Sequence, residues 1–351
     1  MCKSNIIVYC ILFSIMLSCQ NQENYKLDLG LYNETSDKLN TINQSFQFYD
    51  NEFSDVVLNL RETLVLQQDT IRLDSLDQLL FAGLAAPSFV QDSYSFGKTF
   101  GVEFSCMTID NAPPDKIRTR ANNLRLPTER INIPVAFHVI QSDDGRGYIS
   151  RNQISVILDS INSHFSQSSI SFSFLGLDSI RNNNWYKKTL QQNKYEKEMM
   201  EYLAVTPDKA LNIYFLSLKG YKGYAYFPWA VKDDKIDGVV INNATIPGGS
   251  KVNFNQGKTI THEIGHYLGL YHTFHNGCEI GDDIPDTPPQ SIPTKGCPVE
   301  KDSCPNLPGK DQINNYMDYS YDSCLNKFTN GQIDRMNWVL RKHRKGFLPK
   351  I

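Results

Sequence analysis

Residues 262–272 read His262-Glu263-Ile264-Gly265-His266-Tyr267-Leu268-Gly269-Leu270-Tyr271-His272. His262 and His266 are four apart, so on a helix both imidazoles leave one face and can share a single Zn²⁺. Glu263 stands beside the first histidine, within reach of a water at the same ion. Gly269 lets the chain leave the helix sharply, because a residue without Cβ takes φ > 0 at little cost, and this returns His272 from below as a third ligand. The chain holds seven histidines in all. Three of them falling into this register by accident is improbable, so a surface helix with ordinary histidines is a poor account. The polar run Gln256–Thr261 leads into the helix, and Ile260, Ile264, Leu268 and Leu270 supply its apolar face.

Three neutral imidazoles leave the ion positive, so a water bound there becomes more acidic. Glu263 can take its proton during attack on a carbonyl and pass it to the departing amine. The spacing therefore predicts zinc-dependent hydrolysis of an amide bond.

Further motifs lie downstream: Asn315-Tyr316-Met317-Asp318-Tyr319, the triplet Asp286-Thr287-Pro288, and Phe328-Thr329 followed by Gln332 and Arg335-Met336. Together with the histidine motif they resemble the pappalysin family of metzincin zinc metallopeptidases, over most of residues 131–345. The resemblance implies an α/β fold of the zincin/metzincin kind: a twisted mixed sheet, an active-site helix and a loop-rich C-terminal subdomain. It implies that Met317 floors the zinc site and that Tyr319 stabilises the tetrahedral oxyanion, a packed aromatic being the plainer reading of Tyr319. The expected activity is that of a zinc endopeptidase acting on protein or peptide substrates. An edge strand above the cleft would receive an extended substrate by strand addition, with Tyr224–Pro228 as the candidate. Some members favour arginine after the cut through an aspartate that follows the last of four cysteines. Here that place holds Leu325, so an apolar or mixed pocket is as good an expectation.

Cys278, Cys297, Cys304 and Cys324 cluster in a stretch rich in Pro, Gly and Asp that regular hydrogen bonding cannot hold. In an oxidising compartment two crosslinks would brace it, and three pairings are open to the sequence. The resemblance favours Cys278–Cys304 with Cys297–Cys324. Within the same stretch, Gly281 to Thr287 offers hard oxygens of the kind Ca²⁺ prefers. Family members bind calcium near here, which selects Asp283, Asp286 and Thr287, a solvated acidic turn being the alternative. Of the eight cysteines, parity leaves Cys106 alone in the segment before the catalytic domain. Its thiolate suits zinc in a latent form, as a cysteine in the family's propeptides does, although Met107 follows it and no arginine precedes it. A buried inert thiol is the competing reading.

The amino terminus carries Lys3, an apolar run from Ile6 to Leu17, then Ser18-Cys19. That run is short of the roughly 20 residues that span a bilayer, but suits a signal peptide. Met16 to Cys19 resembles a bacterial lipobox, with Cys19 lipidated; plain cleavage further on is the alternative. Export is expected either way, as a secreted protein or a lipoprotein of the outer membrane or cell surface. The expected organisation is a signal peptide at 1–18, a polar tether at 19–50, a small mostly helical pro-segment with an Arg-bearing linker at 51–130, and the catalytic domain at 131–351. Cleavage of the linker by an activating protease would release the mature enzyme, expected to be a monomer.

Within the catalytic domain, Ile131–Ile140 reads as a first strand. Ser150 with Gln153 forms a capping box for a helix whose buried stripe is Ile154, Ile157, Leu158 and Ile161. Ile170 to Phe174 alternates as a half-buried strand, Ala210–Leu218, Gly223–Trp229 and Gly238–Asn242 read as further strands, and Thr329 with Gln332 caps a last helix. Two other readings stay open: a zinc amidase acting on cell-wall or other non-protein amides, and a catalytically silent binding module. The second predicts a lost ligand or a lost glutamate, and none is missing. A net charge of −3 with interspersed signs gives no footprint for nucleic acid.

Overall fold

The computed structural model describes residues 104–108, 130–231 and 235–348. The expected signal peptide, Cys19, the tether and most of the pro-segment and linker lie outside these residues. The compact unit that contains the catalytic motifs begins at Glu103.

Among the described residues, six strands form one mixed sheet: β1 (Phe104–Cys106), β2 (Ile131–Gln141), β3 (Ile170–Arg181), β4 (Leu211–Leu216), β5 (Tyr221–Ala225) and β6 (Val239–Asn242). Their order is β1-β5-β6-β4-β2-β3, and only β5 against β6 is antiparallel. The branched run from Ile131 makes a central strand, flanked by β3 and β4 and buried along nearly its whole length. Parallel strands covered on both faces need such continuous apolar sequence. β3 alternates at its start, as expected, but continues to Arg181 as an outer strand of half-buried and exposed residues.

Helix α1 (Arg151–His164) carries the full capping box: Ser150 Oγ accepts from Gln153 N, and Gln153 Oε1 accepts from Ser150 N. It buries Ile154, Ile157 and Ile161 against the sheet. Two short helices escaped sequence reading, α2 (Asn183–Lys188) and α3 (Lys194–Leu203). Their signals were Asn182 and Asn193, each of which caps the next turn's backbone N–H groups. Helix α4 (Lys258–Tyr267) packs against β5 and β6, a four-residue helix α5 (Gly277–Ile280) follows, and α6 (Asn330–His343) closes the domain behind its own Thr329/Gln332 capping box. Cys278 is bonded to Cys304 and Cys297 to Cys324, tying the loop-rich region between α4 and α6. Among the described residues no helix is long and apolar enough to cross a membrane.

The edge segment needs one correction. The strand is Tyr221–Ala225, so Tyr226 to Pro228 of the expected Tyr224–Pro228 stretch lie beyond it. The alternation of tyrosines continues past the last paired residue, which is why sequence overshoots.

Candidate active site

Helix α4 places His262, Glu263 and His266 on its buried side, and the chain then turns at Gly269, whose φ is +87°. A Cβ there would lie 2.6 Å from Val339 of α6, so the turn needs glycine for space as well as for conformation. His272 returns beside the helix. His266 Nε2 lies 3.1 Å from Nε2 of both His262 and His272. His262 Nδ1 donates to Tyr316 O and His266 Nδ1 to Leu270 O, each at 2.7 Å. Carbonyls only accept, so the proton of each neutral ring sits on Nδ1 and the lone pair on Nε2 points inward.

Acceptor lone pairs so close together repel unless a cation stands among them, and Cys106 Sγ joins the same group, with all four ligand atoms within 4.8 Å of one another. Three imidazoles and one thiol suit zinc in donor type and number. Burial, reinforced by the neighbouring His266 and His272, pushes His262 well below its usual pKa and keeps it neutral, the form that ligates. Burial and the Glu263 charge raise the Cys106 thiol, which a cation would reverse.

Glu263 is fully buried. Burial lifts it to about 8, against the hydrogen bonds of Cys106 and Thr108 and the charge of Lys222. Its Oε2 meets Cys106 Sγ at 3.3 Å and accepts from Thr108 Oγ1 at 3.1 Å, while Oε1 is buried without a partner. Gly223 makes room for it: a Cβ there would fall 2.8 Å from Glu263 Cγ. Met317, wholly buried, sits under Gly265 at the middle of the helix, and Tyr319 Oη lies 3.2 Å from His272 Nε2.

β1 lies along β5 in parallel, pairing Phe104 with Tyr221 and Cys106 with Gly223, and Met107 N donates to Gly223 O. Thr108 completes the contact, its hydroxyl accepting from Ala225 N at 2.9 Å. Sequence reading passed over Thr108, because its partners are more than a hundred residues away.

The acidic loop differs from expectation in which groups turn inward. Asp283 and Asp286 are exposed, and Asp286 Oδ2 accepts from Gly331 N. Asp282, overlooked from sequence, is 2% exposed with Oδ2 unpartnered, and Thr287 Oγ1 is buried without a hydrogen bond of ordinary geometry. Burial holds the Asp282 carboxyl well above the usual range.

The peptidase family described as pregnancy-associated plasma protein-A matches residues 193–341. An extracellular metalloprotease of Colletotrichum graminicola is 39% identical over 273 residues, 75% of this chain and 96% of that protein. The chain belongs to the pappalysin family of metallopeptidases. Another relative, an extracellular metalloprotease of Pyricularia oryzae, is 42% identical over 62% of this chain and 77% of its own length. Among solved structures, mature mirolysin of Tannerella forsythia in complex with a cleaved peptide superposes with a TM-score of 0.54 at 29% identity, covering 63% of this chain and 96% of mirolysin. A promirolysin variant matches with a TM-score of 0.54 at 28% identity, over 63% of this chain and 85% of that one. The α/β metzincin fold and the metalloendopeptidase class follow from this membership.

Proposed function

We propose that the chain is an exported zinc endopeptidase made in a latent form, with His262, His266 and His272 holding the metal and Cys106 as a fourth ligand until activation. The observation that carries the reading is the seat of β1: it lays Cys106 among the three histidines while occupying the edge of β5 and the carboxylate of Glu263. Zinc, when bound, supplies a Lewis acid that polarises the scissile carbonyl and acidifies water.

The chain's own groups supply the rest. Once β1 leaves, β5 regains an open edge whose backbone can pair with an extended substrate. Glu263, released from Cys106 and Thr108, takes a proton from the attacking water and gives it to the leaving amine. Tyr319, at the rim beside His272, donates its hydroxyl proton as a hydrogen bond to the developing oxyanion. Family membership favours this reading over an amidase or a silent binding module.

Relatives named as extracellular metalloproteases support export; Cys19 remains our candidate for lipidation. We also assign the acidic loop to calcium, with Asp282 and Thr287 as its buried oxygens and Asp283 and Asp286 nearby. The decisive experiment is Glu263→Gln in the zinc-loaded, proteolytically activated protein. Zinc content should be unchanged and cleavage of casein lost; undiminished cleavage would overturn the assignment.

A further inference from the structure

A pocket opens beside the histidines, bordered by His262, Glu263 and Tyr319, with Phe254 and Leu325 in its wall. Lys222, Lys258, Asp318 and Asp322 also take part in that wall, yet the surface the cavity presents is almost entirely carbon. The reason lies in where each charge is directed.

Asp318, Ser320 and Asp322 are each at most 2% exposed. Asp318 Oδ1 accepts from Thr294 N, Tyr319 N and Gln290 Nε2, its Oδ2 is buried, as is Ser320 Oγ, and Lys301 supplies a balancing charge. Asp322 Oδ2 accepts the backbone N–H of Gln256 at 2.8 Å and of Lys258 at 3.4 Å, anchoring the entrance to α4, while Lys258 and Lys222 offset its charge. Lys258 turns its ammonium to His164 Nε2 at 2.7 Å and to the Tyr316 ring. Lys222 is itself buried: its ammonium stands 3.6 Å from the centre of the Phe254 ring, and its charge acts on both Asp322 and Glu263. The wall's charges thus balance one another beneath a carbon surface. A carboxylate or guanidinium seated here would give up its water without gaining an ion pair. An apolar side chain loses nothing of that kind, and Leu325, 5% exposed, gives it carbon to pack on together with Phe254.

We propose that this pocket selects an uncharged, apolar side chain at a position flanking the scissile bond, and that Leu325 is the residue that sets the preference. The inference rests on the peptidase reading above and names its substrate class. The test uses the full chain, zinc-loaded and activated by limited proteolysis, on a peptide library and then on four peptides differing only in Leu, Phe, Arg or Glu at the selected position. Seating a charge without a partner predicts that Leu exceeds both Arg and Glu by about tenfold or more in kcat/KM. Leu325→Asp puts a carboxylate into the wall and should shift the Leu-to-Arg ratio toward Arg by about tenfold or more. Leu325→Met should keep the parental ratios. Leu325 also belongs to the core, so Tm and zinc content are measured beside activity, and Leu325→Ala, which deepens the pocket without a charge, serves as the second variant: it should raise the Phe-to-Leu ratio. A parent that prefers a charged side chain there, a parent with no preference, or ratios that persist unchanged in folded Leu325→Asp or Leu325→Ala would overturn the inference alone. Absence of cleavage of every peptide by the zinc-loaded parent would overturn the peptidase reading and this inference with it.

Discussion

Thr108 Oγ1 lies 3.1 Å from Glu263 Oε2 and accepts the backbone N–H of Ala225 at 2.9 Å, so one hydroxyl fastens the β1 segment to both Glu263, our proposed general base, and the end of β5. Cys106 is therefore not the sole tie. Thr108 N also donates to Cys106 Sγ at 3.3 Å, which fixes the thiol's direction.

Thr108→Val removes both hydroxyl contacts and leaves Ala225 N–H buried without an acceptor, at a cost of about 1–3 kcal/mol to the docked segment. In the unprocessed full chain, Cys106 should react faster with an aromatic disulfide reagent, and peptidase activity should appear sooner. Thr108→Ser should behave like the parent. Equal thiol reactivity in the valine variant and the parent would refute the second tie.

Gly265 is the point at which α4 rests on Met317, and a Cβ there would run into the methionine sulfur. Gly265→Ala should destabilise the domain by about 1–3 kcal/mol through overpacking. Because α4 carries His262 and His266, zinc content after dialysis should fall together with Tm. An alanine variant with parental Tm and zinc content would show that the floor yields freely.

What was legible in the sequence was what neighbours along the chain decide. The four-residue spacing of His262 and His266, the turn at Gly269 and the boxes at Ser150 and Thr329 are local, and each appears where it was expected. Elements whose identity depends on distant partners were not legible. Thr108 looks like any linker threonine until β1 lies on β5, and Lys222 like any surface lysine until Phe254 comes under it. In Asp282-Asp283 the pattern cannot say which carboxyl turns inward; a positive φ of 62° at Asp283 accompanies the burial of its neighbour.

That difference matters for calcium. If the buried Asp282 Oδ2 and Thr287 Oγ1 face an ion, millimolar Ca²⁺ should raise Tm after a calcium-selective chelator has stripped the protein, the added stability reaching about 3 kcal/mol at a hundredfold excess over Kd. Asp282→Asn should abolish the increment. Thermal unfolding unaffected by calcium in the parent would remove the ion from this loop.

Glu196 supplies a pH signature away from the catalytic centre. It is fully buried on α3, where Oε2 accepts from Tyr226 Oη and Gln192 N, each at 2.6 Å, and Oε1 has no partner. Burial lifts its pKa from 4.5 to about 7, against the hydrogen bonds from Tyr226 and Gln192. A carboxyl whose folded pKa is raised binds its proton more tightly in the native state. Below the unfolded value it is protonated in both states and costs nothing; as pH rises through the window up to about 7, stability falls. The full cost is about 3 kcal/mol above that window. Urea unfolding at pH 5 and pH 8 should therefore show a smaller loss in Glu196→Gln than in the parent. Asp322, lifted to about 6 by burial, acts in the same direction in both proteins and cancels from the comparison. An identical pH dependence in the two proteins would mean that Glu196 is ionised in the fold at no cost.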